Sequence, residues 1–159
     1  MPLINLRDVD GQWPRFIGRR VLCHGCFDIL HIGHIRHFRA AKALGDMLFV
    51  TVTPDKAVEK GLGRPLFTAQ LRAEAIAALR CVDYVAISEW PSAVEVISIL
   101  RPHIYTKGGD YIGKMTPALE EERCAVETYG GKLVFTDEQA WHSTDILEAI
   151  KNEKTVPFH

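Results

Sequence analysis

Apolar residues gather along this chain in five short runs, at 20–24, 47–52, 84–87, 104–106 and 132–135. They are rich in Val, Ile and Phe and lack the in-out alternation of a half-exposed strand, which predicts strands covered on both faces. Between the runs the spacing turns helical. One helix opens near Ile32, with Ile35 and Phe38 as its stripe, and Leu71, Ala75, Ile76, Ala78 and Leu79 mark a second. Val94, Val96, Ile97 and Leu100 follow Pro91 in a third. Pro117 suits the first turn of a fourth, closed by Gly130 and Gly131, and 144–151 form the last. Strand–helix alternation predicts an α/β fold: a Rossmann-like, doubly wound, five-stranded parallel sheet with right-handed crossovers. Residues 1–18 read as a polar lead-in from which Trp13 or Phe16 packs onto the body, 19–151 as one domain, and 152–159 as a loose tail.

Ligands in such sheets sit beyond the carboxyl ends of the strands, at the topological switch point. The loop after the first strand belongs there. It carries Gly25, Cys26, Phe27 and Asp28, then His31, Gly33 and His34 at the start of a helix. Amide N–H groups at a helix start face outward and the helix dipole favours an anion, so the junction predicts a phosphate site. The two histidines, three residues apart, add donors on one side of that turn. Neighbouring phosphates would keep them protonated. A plain pair of surface histidines is the competing reading. Gly25, Phe27 and Asp28 at fixed offsets behind a strand favour the site. His37 continues the spacing and reads as solvated or as a supporting residue.

Three further clusters point to the same end of the sheet. Lys60-Gly-Leu-Gly63-Arg64 is a basic glycine loop in which Lys60 acts as a point charge and Arg64 as a fork for phosphate. Arg72 either faces the same crevice or pairs with Glu74 or Asp83. Thr106-Lys107-Gly108-Gly109-Asp110 lets a base or ribose approach the backbone, with Asp110 accepting from ribose hydroxyls or capping the next turn. His142, Ser143 and Thr144 open the final helix, where a hydroxyl caps it or a phosphate docks.

Composition limits the alternatives. A chain of 159 residues, 47% hydrophobic and 25% charged, suits a single domain with a sizeable core. A net charge of −1 offers no basic face for nucleic acid. No apolar run is long enough to cross a bilayer, and the first residues lack a secretory pattern. Four cysteines, Cys23, Cys26, Cys81 and Cys124, predict a reduced, cytoplasmic setting. Cys23 and Cys26 have a zinc-like spacing, but no second matched pair accompanies them, and Cys23 falls inside a buried strand.

Gly-x-Phe-Asp-x-x-His-x-Gly-His resembles the signature of the cytidylyltransferase-like nucleotidyltransferases. The likeness runs from about Arg19 to Ile150. Gly63-Arg64-Pro65, Arg72-Ala73-Glu74, Cys81-Val-Asp-Tyr, Leu100-Arg-Pro and Lys107-Gly-Gly-Asp-Tyr extend it toward the heptose 1-phosphate adenylyltransferases. That resemblance implies a nucleotidyltransferase (HUP-type) fold. It implies Mg²⁺ carried by ATP, a sugar 1-phosphate acceptor, an ADP-sugar product and a homodimer. It casts His31, His34 and Lys60 as catalytic. Gly25, Cys26, Phe27, Asp28, Gly33, Lys107, Gly109, Asp110, His142, Ser143 and Thr144 become nucleotide-binding, and Arg64 and Arg72 bind the substrate phosphate. His142 stands where the family usually has a serine. Cytidylyltransferases of the glycerol-3-phosphate type share His-x-Gly-His but place an arginine where this chain has Asp137. Pantetheine-phosphate adenylyltransferases and class I aminoacyl-tRNA synthetases fit the downstream loops or the chain length less well. A nucleotide-binding regulator without turnover is the remaining class, to be separated by pyrophosphate release.

Overall fold

The computed structural model describes residues 3–12, 16–59, 61, 63–137 and 143–152. Five parallel strands, β1 (Arg20–Gly25), β2 (Met47–Val52), β3 (Tyr84–Ile87), β4 (Ile104–Lys107) and β5 (Lys132–Phe135), lie in the order β3-β2-β1-β4-β5. This is the expected Rossmann-like α/β sheet, with β1 and β4 flanking the switch point. β1 pairs with β2 as far as Gly25 and Val52, but with β4 only as far as Cys23 and Thr106. Beyond that last pair the two strands separate.

The helices are α1 (Leu6–Val9), α2 (Ile32–Ala43), α3 (Ala69–Ala77), α4 (Val94–Leu100), α5 (Pro117–Thr128) and α6 (Ser143–Lys151). Side chains of one strand alternate between two cores. Val21, Cys23, Val50 and Val52 join Phe38, Ala73 and Ile76 beneath α2 and α3. Leu22, Phe49 and Tyr105 join Val96, Ile97, Leu100 and Val126 beneath α4 and α5. Local chemistry sets the ends. Thr68 and Thr116 accept from the amides of Leu71 and Leu119, Pro117 occupies the first turn of α5, and Gly130 takes the positive φ of 78° that ends it.

Two expectations change. The segment before β1 is part of the body. Leu6 and Val9 of α1 are buried and Leu3 bridges to Val85 at the sheet edge, while Phe16 packs edge-on against Phe49 and Tyr84 as expected. Trp13 and the tail from residue 153 lie outside the described residues. The second change is the rotation of α3. Its buried face is Ala69, Arg72, Ala73 and Ile76, whereas Leu71, Ala75 and Ala78 are exposed. The cause is Arg72, whose guanidinium points inward and brings two small alanines with it.

Candidate active site

After Gly25 the chain leaves the sheet through a tight loop in which Phe27 and Ile29 hold φ of 50° and 57°. Left-handed backbone costs a non-glycine residue on the order of 1 kcal/mol. Packing offsets that cost. The Phe27 ring is buried and meets the rings of His34 and Phe38 edge-on, with centroids 5.4 and 4.9 Å away. A Cβ on Gly25 would stand 2.9 Å from Phe27 Cζ, so the ring requires glycine there.

Asp28 latches this loop to the next one. Its fully buried carboxylate accepts from the amides of Leu66 and Phe67 at 2.9 and 3.1 Å and from Arg64 Nε at 2.6 Å. Burial alone would raise its pKa. The two amides and the guanidinium outweigh burial and hold it below the usual carboxylate range. Arg72 is a second strut. Its guanidinium donates to the carbonyls of Phe67, Cys26 and Thr53 and to Asp55 Oδ1. Arg64 and Arg72, expected at a substrate phosphate, are both tied into this network of loops. Asp28 occupies Arg64 Nε. Arg72 is only 2% exposed, with its donors engaged by backbone and by Asp55 rather than Glu74 or Asp83. Asp28, expected at the nucleotide, holds these loops together.

His31 caps α2. Its Nδ1 accepts from the Gly33 amide at 3.1 Å, which leaves the ring proton on Nε2. His34 stacks on it, with centroids 3.8 Å apart and planes inclined by 28°. The i, i+3 spacing produces that stack, because the cap residue and the first turn share one side of the helix. The two imidazoles thus stand together at the N-terminus of α2, just beyond the point where β1 and β4 part.

Across the crevice, Lys107 Nζ lies 3.3 Å from Glu122 Oε2 and over the rings of Tyr105 and Tyr111, 5.4 and 5.3 Å from their centroids. Glu122 also accepts from Tyr105 Oη at 2.8 Å and from the Ala93 amide at 3.1 Å. Burial opposes its ionisation, but Lys107, the Tyr105 hydroxyl and the Ala93 amide prevail and hold its pKa below the usual range. Burial beside that carboxylate pushes the Tyr105 phenol far up. Gly109 and Asp110 lie in a short 3₁₀ turn, Gly109–Tyr111, with the Asp110 carboxylate folded back over Gly108. Cys23 Sγ meets Thr106 Oγ1 at 2.9 Å inside the sheet. Lys60 and His142 lie outside the described residues, as do the side chains of Ser143 and Thr144 at the start of α6.

Sequence reasoning misses His24, Thr136 and Glu122. Glu122 hides in the run Glu120-Glu121-Glu122, which reads as a solvated acidic face. Its signal is the spacing to Leu119 and Val126, the other buried residues of α5. His37 is half-buried and bonded to Thr136, so it supports the site and is not solvated.

A family model described as cytidylyltransferase-like matches residues 22–149. Among curated relatives, bifunctional protein HldE of Pelobacter propionicus is 42% identical over 137 residues, covering 83% of this chain and 27% of that protein. HldE of Syntrophotalea carbinolica is 41% identical over 133 residues, 82% of this chain and 26% of that one. The chain therefore spans about a quarter of the length of these relatives. The crystal structure of a lipopolysaccharide core biosynthesis protein from Thermoplasma volcanium superposes with a TM-score of 0.65 at 29% identity, covering 77% of this chain and 99% of that one.

Proposed function

Because the chain belongs to the cytidylyltransferase-like family, and is with it an enzyme of the nucleotidyltransferase type, we propose that it moves AMP from ATP to a sugar 1-phosphate. The products are an ADP-sugar and pyrophosphate. The observation that carries this reading is the stacked His31–His34 pair at the amino end of α2, where β1 and β4 part.

An oxygen of the acceptor phosphate attacks the α-phosphorus, and the bond from that phosphorus to the bridging oxygen of pyrophosphate breaks. The acceptor phosphate has a second pKa of about 6 and is already ionised, so no general base is required. Catalysis reduces to alignment and to stabilising charge that grows on the α-phosphoryl group and on the leaving oxygen. His31 Nε2–H and the His34 ring supply donors there, together with the α2 dipole. Mg²⁺ arrives with the triphosphate as part of the substrate. Lys60, from the glycine loop, and His142, Ser143 and Thr144, at the start of α6, complete the polyphosphate site. The Thermoplasma relative is named for lipopolysaccharide core biosynthesis, which supports a sugar acceptor. Heptose 1-phosphate, the acceptor implied by the sequence resemblance, is the first to test.

The test is pyrophosphate release with Mg-ATP or Mg-CTP against a panel of sugar and polyol phosphates. Release with ATP and a sugar 1-phosphate is the expected result. Turnover with CTP and glycerol 3-phosphate alone would transfer the assignment to the glycerol-3-phosphate type. Nucleotide binding without release in any combination would make the chain a regulator.

A further inference from the structure

A buried charge pair stands on the face of the sheet opposite the histidine pair. Tyr105 packs toward α4 and α5, and Lys107, two residues further along β4, points the same way. Glu122 meets both from the face of α5 that also carries Leu119 and Val126. It is 5% exposed, and the Lys107 side chain is 11% exposed. Glu122 Oε1 accepts from the Ala93 amide at 3.1 Å, and Oε2 accepts from Tyr105 Oη at 2.8 Å with Lys107 Nζ at 3.3 Å. Ala93 precedes α4 and has no side-chain oxygen to cap it. One carboxylate thus joins α5, the start of α4 and the end of β4. The neighbouring His24 is engaged elsewhere, with Thr51 Oγ1 and the Pro91 backbone.

Stability does not account for this pair, since a buried ion pair adds little over an apolar pair of the same volume. The Tyr105 hydroxyl and the Ala93 amide need only an acceptor, which a neutral amide oxygen also supplies. Lys107 alone calls for a charge. A lysine ordinarily carries its ammonium on a flexible four-carbon stem. Here Nζ is held by Glu122 and walled by the rings of Tyr105 and Tyr111, 5.4 and 5.3 Å from their centroids. An ammonium has three donors, and one carboxylate oxygen leaves others for a second anion. Lys107 ends β4, beside the gap where β1 and β4 part, and its carbonyl is fixed in turn by Thr136. Where a reaction depends on alignment, displacing a group by about 1 Å costs on the order of 10²-fold. A glutamate that orients a lysine on phosphates is the device protein kinases use.

We propose that Glu122 is a positioning residue for nucleotidyl transfer, acting through Lys107: it fixes the ammonium so that its remaining donors meet the phosphates of the nucleotide. This deepens the functional reading above and rests on it. Glu122 itself touches no substrate. Its effect on the reaction therefore vanishes when Lys107 is absent.

The test is a double-mutant cycle on Glu122→Gln and Lys107→Met, with melting temperature as the measure of folding. Pyrophosphate release gives kcat and the KM for ATP and for sugar 1-phosphate separately. Calorimetric titration with Mg²⁺ and α,β-methylene-ATP gives a nucleotide Kd without turnover. Glu122→Gln alone should raise that Kd and lower kcat/KM for ATP by about tenfold each, with the KM for sugar 1-phosphate within about twofold of wild type. In the Lys107→Met background the same substitution should change neither quantity by more than about twofold. Should Glu122→Gln not fold, Glu122→Asp, which keeps the charge but withdraws it by one methylene, goes through the same cycle with the same expected pattern. Equal losses in the two backgrounds would overturn the proposal, as would a nucleotide Kd unchanged by Lys107→Met or by the folded Glu122 variant. Failure of both Glu122 variants to fold would also overturn it, because the carboxylate would then serve the core alone. If wild type binds the analogue but releases no pyrophosphate with any acceptor, the transferase reading falls and the cycle on Kd still decides the role of Glu122. Absence of nucleotide binding by wild type would sink both.

Discussion

His37 on α2 and Thr136 just past β5 are joined by a 2.7 Å contact between Nδ1 and Oγ1, although 99 residues separate them. Thr136 also donates from Oγ1 and from its amide to the Lys107 carbonyl, at 3.3 and 2.9 Å. The helix that carries His31 and His34 is therefore pinned to the loop that carries Lys107, across the gap between β1 and β4. Thr136→Val keeps the shape and removes the hydroxyl, and should cost about 1–2 kcal/mol. It should also lower kcat several-fold, and Thr136→Ser should restore most of both. A double-mutant cycle with His37→Ala should show coupling of about 1 kcal/mol. Strict additivity in chemical denaturation would mean that the contact pins nothing.

The same histidine, with His24, makes stability depend on pH. Both rings are held down to about 4, chiefly by burial and then by Lys107, against the opposing pull of Glu122 on His24 and of Asp110 on His37. Unfolded, each returns to the usual value of about 6.5 and takes up a proton more readily. Between about 4 and 6.5 the unfolded chain binds more protons, so stability is complete above 6.5 and falls as pH drops toward 4. Each ring contributes up to about 3 kcal/mol to that fall. Melting temperature should decline steadily from pH 6.5 to 4.5, and His37→Gln should flatten the decline. A flat profile for wild type over that window would contradict neutral buried rings.

Arg72 distinguishes a strut from a phosphate ligand. Three carbonyls and one carboxylate surround its guanidinium. Arg72→Ala should strand those acceptors and cost about 3–5 kcal/mol. Arg72→Lys should recover little, because a single ammonium cannot span the fork. A phosphate ligand would behave differently, with an unchanged melting temperature and a raised substrate KM. Thermal melting alongside steady-state kinetics separates the two.

How far such features can be read from sequence depends on which neighbours decide them. The strands are legible because Val21-Leu22-Cys23 and Leu48-Phe49-Val50 are apolar without interruption, and only a sheet covered on both sides explains that. The His31–His34 stack is legible because helical spacing alone brings the two rings together. Arg72 is not, because its partners are backbone carbonyls of loops at Cys26, Thr53 and Phe67, and no side-chain pattern marks them. Glu122 and His24 escape for a similar reason. Their roles arise when α5 packs over the ends of β1 and β4, a juxtaposition of residues nearly a hundred positions apart. Lead-in residues Leu6 and Val9 are too few to announce a helix, yet they close a core edge.

The proposed catalytic pair, His31 and His34, gives the sharpest expectation. His31→Ala removes both an N-cap acceptor and a ring donor, so it should cost about 1 kcal/mol of stability as well as activity. His34→Ala removes the stacked ring without touching the cap. If both imidazoles act on charge that develops only in the transition state, each variant should lower kcat by about 10²–10³-fold while nucleotide KM changes little. His31→Asn should restore the cap and the melting temperature but not kcat, since its amide can accept from Gly33 yet cannot extend a donor as far as Nε2. Normal turnover in both alanine variants, or recovery of kcat with Asn, would place the chemistry elsewhere in the crevice.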